Sequence, residues 1–249
     1  MRLFWHQLRS EQLIFWRNRE SAGFIFLFPV MLFLLLGSLY GNEVNDDGFR
    51  GDELLLAGML GYGAANTGFA GMAITLVIRR EYGMLKRIRS TPLPTAVYFA
   101  AALASTLIVF AIQAVVLFAL GRVLYGTALP ERPGSLAFLV VVGAIAFAGL
   151  GIGTAALIRS AEGSSAVVNF ILLPMAFLSG SFGGRDYPAV LEAVADVLPL
   201  KYFVDLVRNV YLEHESALSD PGALAIVLAW GLGGAFVASR RFGWEPRER

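Results

Sequence analysis

The chain has 249 residues, of which 57% are hydrophobic and 16% charged, and its mean hydropathy is +0.64. Soluble domains carry about 25% charged residues and have no need of repeated apolar runs about 20 residues long, so a soluble globular domain is excluded. The net charge of +1 says little in sum, and the absence of cysteine excludes disulfides, thiolate metal sites and cysteine nucleophiles.

Residues 1–21 read as a helix lying along a membrane surface. Phe4, Trp5, Leu8, Gln12, Phe15 and Trp16 recur at three- and four-residue spacing, with Arg9, Arg17 and Arg19 between them, a pattern that suits the interface. The apolar run starts only near Ala22 with no small-residue cleavage site, so no signal peptide is expected and the first span should stay in the mature protein. That span covers 22–40 with Pro29 inside it, and Asn42 to Glu53 form an acidic loop. The second, 54–78, is rich in glycine at Gly58, Gly61, Gly63, Gly68 and Gly71, which predicts close helix contact.

Arg79 to Pro94 then form a charged island. Its five basic side chains in Arg79, Arg80, Lys86, Arg87 and Arg89 cannot lie in hydrocarbon, so the chain must surface. Pro92 and Pro94 break any helix before the third span, 96–120. A short turn with Pro130 and Pro133 leads to the fourth span, 136–158, whose Gly149 and Gly153 have small-xxx-small spacing. A polar turn, Arg159 to Ser164, precedes the fifth span, 165–182, which carries Pro174 and ends in Ser179-Gly180-Ser181-Phe182-Gly183-Gly184. In 187–212, two charge-bearing helical stretches split by Pro199 are each too short to cross, so they read as re-entrant or extracellular helices. There, Lys201 and Asp205 stand four apart and Asp205 and Arg208 three apart, which would let them pair. The sixth span is 221–239, followed by a polar tail.

The predicted fold class is therefore an all-α integral membrane domain over 1–249 with six transmembrane helices. On one side lie 14 of the 20 Lys and Arg: Arg2, Arg9, Arg17, Arg19, Arg79, Arg80, Lys86, Arg87, Arg89, Arg159, Arg240, Arg241, Arg247 and Arg249. On the other are Arg50, Arg122, Arg132, Arg185, Lys201 and Arg208, so the positive-inside rule places both termini and the charged island in the cytoplasm. Glu43, Asp46, Asp47, Asp52 and Glu53 cluster in the first outer loop.

Catalytic chemistry finds no support. There is no Gly-x-x-x-x-Gly-Lys-Ser/Thr phosphate loop. Phe177-Leu178-Ser179-Gly180 lacks the earlier glycine of a serine elbow, and His6 and His214 are not suitably placed to serve it. No carboxylate falls in mid-span to relay protons. No catalytic, metal or cofactor site is expected in the chain, and no nucleic acid partner. The charged island has two readings: a solvated stop-transfer loop, or a short docking helix, which the apolar Tyr82, Met84, Leu85 and Ile88 among the basic residues would serve.

Three segments resemble one known family, the membrane subunits of type 2 ATP-binding-cassette (ABC-2) exporters, most of all the drug and small-molecule branch associated with multidrug efflux. They are Arg80-Glu81-Tyr82-Gly83-Met84-Leu85 with Thr91-Pro92-Leu93, the run Leu173 to Phe182, and Pro199-Leu200-Lys201-Tyr202 with Arg208 downstream. The chain departs at Gly183-Gly184, where the family often has an aromatic-Pro pair, and at Met84, where a threonine-like residue is common.

The resemblance implies that two permease subunits pair, as a homodimer or heterodimer in the lipid bilayer of the cell membrane. Each would sit on a separate cytoplasmic ABC ATPase that binds ATP and Mg. The N-terminal surface helix would be one contact with it, and Arg79, Arg80, Glu81, Tyr82, Gly83, Leu85, Lys86, Arg87 and Arg89 a coupling helix. Glu81 and the basic residues would make polar contacts, while Tyr82 and Leu85 would pack in a groove of the ATPase. Pro174, Ser179, Gly180, Phe182, Pro199, Tyr202, Asp205 and Arg208 would form an extracellular gate. Phe24, Phe26, Phe28, Phe33, Phe170 and Phe177 would line a cavity or the subunit interface, or simply pack in the core or face lipid. The cargo implied is a hydrophobic or amphipathic small molecule, drug-like or lipid. Export of a glycan, glycolipid or ion, a passive or gradient-driven channel or carrier, and a scaffold without transport remain the alternatives.

Overall fold

In the computed structural model, residues 1–41, 43–45, 48–183 and 187–245 are described, and among them the architecture is helical. Among the described residues there is no strand beyond one isolated bridge between Val44 and Arg50. The expectations for Asn42, Asp46, Asp47, Gly184, Arg185, Arg247 and Arg249 lie outside the described residues.

Helix α1 (Arg2–Arg17) buries Leu8 and Glu11, and Asn18 turns the chain into α2 (Arg19–Tyr40), which carries Pro29 in its interior. Next comes one continuous helical column: α3 (Gly51–Ala64), a π-helical stretch Ala65–Gly71, and α4 (Met72–Glu81). Gly83, at φ 68°, separates α4 from the short α5 (Met84–Arg89). Helix α6 (Thr95–Leu120) continues through a π-helical turn, Gly121–Tyr125, that Gly126 ends in the left-handed region. The rest of the chain is α7 (Pro133–Leu157), α8 (Ser164–Leu178), α9 (Ala189–Ala195), α10 (Pro199–Tyr211) and α11 (Pro221–Arg241).

Proline starts three of these helices. Pro133, Pro199 and Pro221 stand in the first turn of α7, α10 and α11, where a missing N–H costs nothing and φ is already helical. Pro133 thus begins a helix rather than lying in the turn the sequence suggested. At α11 the Asp220 carboxylate also accepts from the Ala223 N–H at 2.8 Å, a side-chain cap.

Among the described residues, four helices are long and apolar enough to cross a membrane: Ala22–Tyr40, Thr95–Tyr125, Pro133–Leu157 and Pro221–Arg241. They match the first, third, fourth and sixth expected spans, the third running on to Tyr125. The other two expected spans take different forms. α8 has 15 residues and stops at Leu178, because Gly180 at φ 73° turns the chain out of the helix. The column over 51–81 is less apolar and lies at the centre, with Leu56, Ala57, Met59, Tyr62, Ala65 and Ala73 at most 1% exposed. A helix surrounded by other helices does not need a lipid-compatible surface, so its glycines, Asn66 and Thr67 are tolerated.

Those glycines bring backbones together. A Cβ on Gly68 would meet Phe147 and the Ala148 nitrogen, and one on Gly58 would overlap the Ser181 carbonyl. Gly149 and Gly153 of α7 face Gly231 and Gly234 of α11, where an added Cβ would stand 2.5 Å from a carbonyl oxygen in each case. This seam yields an internally controlled prediction. Gly234→Ala should lower stability by about 1–3 kcal/mol, the range for overpacking, whereas Gly233→Ala, whose Cβ meets nothing within 4 Å, should leave the melting temperature unchanged or raise it. Equal effects from the two would remove the contact as the reason for Gly234.

A polar knot closes the centre. Pro29 has no N–H to give the Ile25 carbonyl one turn back, so that acceptor is left open inside α2. Asn66 Nδ2 and Gln113 Nε2 both donate to it at 3.1 Å, and Gln113 also reaches the Phe26 carbonyl at 3.2 Å. Both side chains are at most 2% exposed. The amides of two other helices therefore supply the hydrogen bonds that proline removed.

Candidate functional site at the charged end of the central helix

The last turn of α4 sends three consecutive side chains to three different parts of the molecule. Arg79 points to α1 and grips Glu11 with two nitrogens, at 2.9 and 2.7 Å, while also donating to the Tyr98 hydroxyl of α6 at 2.9 Å. Arg79 is 8% exposed and Glu11 6%. Burial works against the guanidinium charge, and the fork of two hydrogen bonds to the Glu11 carboxylate together with the Tyr98 hydroxyl compensates for it. Arg80, 1% exposed, donates to the Ala155 carbonyl at 2.9 Å and to the Ile158 carbonyl at the end of α7. Carbonyls at a helix C-terminus lack intrahelical partners and carry partial negative charge, so a guanidinium suits them. Glu81 accepts from the Ala161 N–H in the turn between α7 and α8.

After this anchor the chain reaches the surface. Tyr82 is 69% exposed, Gly83 makes the left-handed turn, and α5 follows. Leu85 is fully buried and Ile88 packs against the core, so Met84, Lys86, Arg87 and Arg89 are left facing outward. Lys86 lies 3.3 Å from Glu245.

The nine residues expected to couple therefore divide into two sets. Tyr82, Lys86, Arg87 and Arg89 form an outward ridge, pivoted at Gly83, whereas Arg79, Arg80, Glu81 and Leu85 turn inward and bind the ridge to α1, α6, α7 and the turn before α8. Leu85, expected to enter a partner's groove, instead fills the chain's own. In a helix two residues three apart share a face, so Leu85 and Ile88 go in together and Met84 and Arg87 come out.

Sequence reasoning passed over Glu11, Tyr98, Trp244 and Glu245. Glu11 did leave a signal: it is the sole carboxylate among residues 2–17 and falls on the same helical face as Leu8 and Phe15, where an acid needs a partner.

At the opposite end, Ser179, Gly180, Phe182 and Arg208 are brought together. Arg208 Nη2 donates to the Gly180 carbonyl at 3.0 Å, the buried Ser179 and Ser181 hydroxyls stand 2.7 Å apart, and the Phe182 ring lies 5.3 Å from Tyr62 and 4.8 Å from Phe177. Pro174 lies further back in α8, while Pro199 and Tyr202 belong to a second feature, the cap around Asp196, whose carbonyl accepts from the Tyr202 hydroxyl at 2.7 Å. Lys201 pairs with Asp196 rather than with Asp205, because Asp196 closes the preceding helix directly beside it. Asp205 is half-buried on α10. Of the phenylalanines, Phe33 is core, whereas Phe24, Phe170 and Phe177 are exposed on the helix bundle.

An all-helical body with several helices long and apolar enough to cross a membrane, carrying a firmly anchored basic ridge at one end, defines a multi-pass membrane protein. The family profile of the ABC-2 type transporter matches residues 2–212, and the chain belongs to that family. Its members are the membrane component of ABC transporters, non-catalytic in themselves, and associate with an ABC ATPase. Comparison with curated proteins finds no match.

Proposed function

We propose that this chain is the permease subunit of an ATP-driven exporter in the cell membrane, moving a hydrophobic or amphipathic small molecule outward. In this reading the column over 51–81 and α8 complete a set of six spans, both termini face the cytoplasm, and a second permease subunit completes the pathway. ATP and Mg²⁺ are held by the separate ATPase. The outer cluster of Pro174, Ser179, Gly180, Phe182, Pro199, Tyr202, Asp205 and Arg208 closes the outer end.

The observation that carries the reading is the ridge itself. A stop-transfer loop needs charge alone, yet here Tyr82, 69% exposed, and Met84, 49% exposed, stand beside Lys86, Arg87 and Arg89. Apolar and basic groups side by side on a short helix suit a partner's groove. The residues beneath are tied by hydrogen bonds to four separate elements, so a push on the ridge reaches α1, α6, α7 and the turn before α8 together.

The test is ATP turnover by the ABC ATPase that copurifies with the permease, in proteoliposomes. Lys86→Ala with Arg87→Ala should reduce the permease's stimulation of hydrolysis about tenfold, as two interface charge contacts worth roughly 1.4 kcal/mol together would require, while membrane insertion is kept. Undiminished stimulation would return the segment to a loop that only sets topology.

A further inference from the structure

Beyond the segment matched to the family, the chain folds back. After α11 ends at Arg241, the Phe242 and Trp244 rings return to the first turn of α6. Phe242 and Trp244 lie 5.7 and 5.8 Å from Phe99, Trp244 lies 6.3 Å from Tyr98, and the two returning rings are 5.7 Å from each other. Tyr98 is fully buried and its hydroxyl accepts from Arg79. One residue further on, Glu245 meets Lys86 of α5 at 3.3 Å.

We propose that residues 242–245 are a brace that holds α5 in its docking orientation and joins its movement to α6 and α11, with Trp244 and Glu245 as positioning residues. The mechanical part rests on the coupling role proposed above; the holding part does not.

The argument starts from what α5 lacks. Six residues are far too few to be a stable helix alone, and α5 is entered through Gly83 in the left-handed region and left through Pro92 and Pro94. Leu85 and Ile88 hold its inner face, but apolar contacts along one side leave rotation about that side open. The Glu245 carboxylate supplies a second point of attachment on the outer face. Both partners of that pair are about two-thirds exposed, at 65% and 67%, so the pair is weak by itself. It gains effect because Glu245 is delivered by a tail already fixed to α6 through three ring contacts, which leaves little chain entropy to lose when the pair forms. The ring cluster is the hold, and the ion pair sets the orientation.

The absence of native cysteine makes a direct measurement possible. A spin label on Arg87→Cys in nanodisc-embedded permease reports α5 mobility with no ATPase present. Glu245→Lys, an exposed substitution that leaves the core untouched, should raise the mobile fraction about threefold, the factor for an exposed ion pair. The double variant Lys86→Glu with Glu245→Lys should restore the wild-type spectrum. Trp244→Ala should free α5 further, and Trp244→Phe should hold it. With unlabelled protein, Trp244→Ala should also depress the permease's stimulation of its ATPase, again rescued by Trp244→Phe. A label equally immobile in wild type, Glu245→Lys and Trp244→Ala would overturn the brace. Failure of wild-type permease to stimulate any ABC ATPase would instead strike the proposed function, and the spectra would still decide the brace.

Discussion

Glu11→Ala should destabilise the protein by about 3–5 kcal/mol, the cost of breaking a buried ion pair by removing one partner. The figure is large because of what stays behind. Arg79 is held under α1 and beside α6 at 8% exposure, so without the carboxylate its charge is left with the Tyr98 hydroxyl and little water to turn to. Two bonds of 2.9 and 2.7 Å in a fork also fix geometry, which a single contact does not. Glu11→Gln keeps an acceptor without the charge and should fall between Ala and wild type. Replacing both partners, Glu11→Leu with Arg79→Met, should recover most of the loss, since no uncompensated charge remains.

Melting temperatures in one detergent would report all four proteins. The neighbouring Gln12→Ala, which removes bonds of 2.8 and 3.1 Å to Ser105, should cost about 1 kcal/mol as an ordinary polar contact. If Glu11→Ala were no worse than Gln12→Ala, the pair would not be the clamp between α1 and the central column.

The second large effect concerns the proline in α2. Gln113→Leu strips one donor from each of the Ile25 and Phe26 carbonyls while Asn66 still serves the first, so each lost hydrogen bond costs about 0.5–1.5 kcal/mol. The interest lies in the dependence on residue 29. In Pro29→Ala an N–H returns at the position that serves the Ile25 carbonyl within the helix, so α2 satisfies part of its own need. Gln113→Leu should then cost clearly less, by about 1 kcal/mol, in the Pro29→Ala background than in the natural one, a coupling of the size seen between groups of one network. Strict additivity in this cycle would show that Gln113 packs there without compensating for the proline. Asn66→Leu should behave in the same way, because its amide reaches the same carbonyl at 3.1 Å.

Much of the fold was legible because the bilayer constrains each helix locally. Apolar runs must be about 20 residues long to cross, so four spans could be read directly, and the small-xxx-small pair Gly149 and Gly153 announced a close helix neighbour without naming it. The turn at 79–94 was legible for an equally local reason, since five cations cannot remain in hydrocarbon. That argument removes charge from lipid and says nothing about removing it from protein. Arg79 and Arg80 left the lipid and entered the interior, one against a carboxylate 68 positions earlier in the chain, the other against carbonyls 75 and 78 positions later.

By itself, then, the amino-acid order determined that the chain crosses the membrane repeatedly, where it must surface and where backbones touch. Each of these follows from the period or composition of a single stretch. Tertiary packing alone decided which cations of the charged segment turn inward, that Leu85 fills the chain's own core, that two amides answer Pro29, and that Trp244 and Glu245 return to α6 and α5. Those outcomes depend on groups far apart in sequence meeting in a dry interior, where an unmatched charge or carbonyl is costly enough to select its partner.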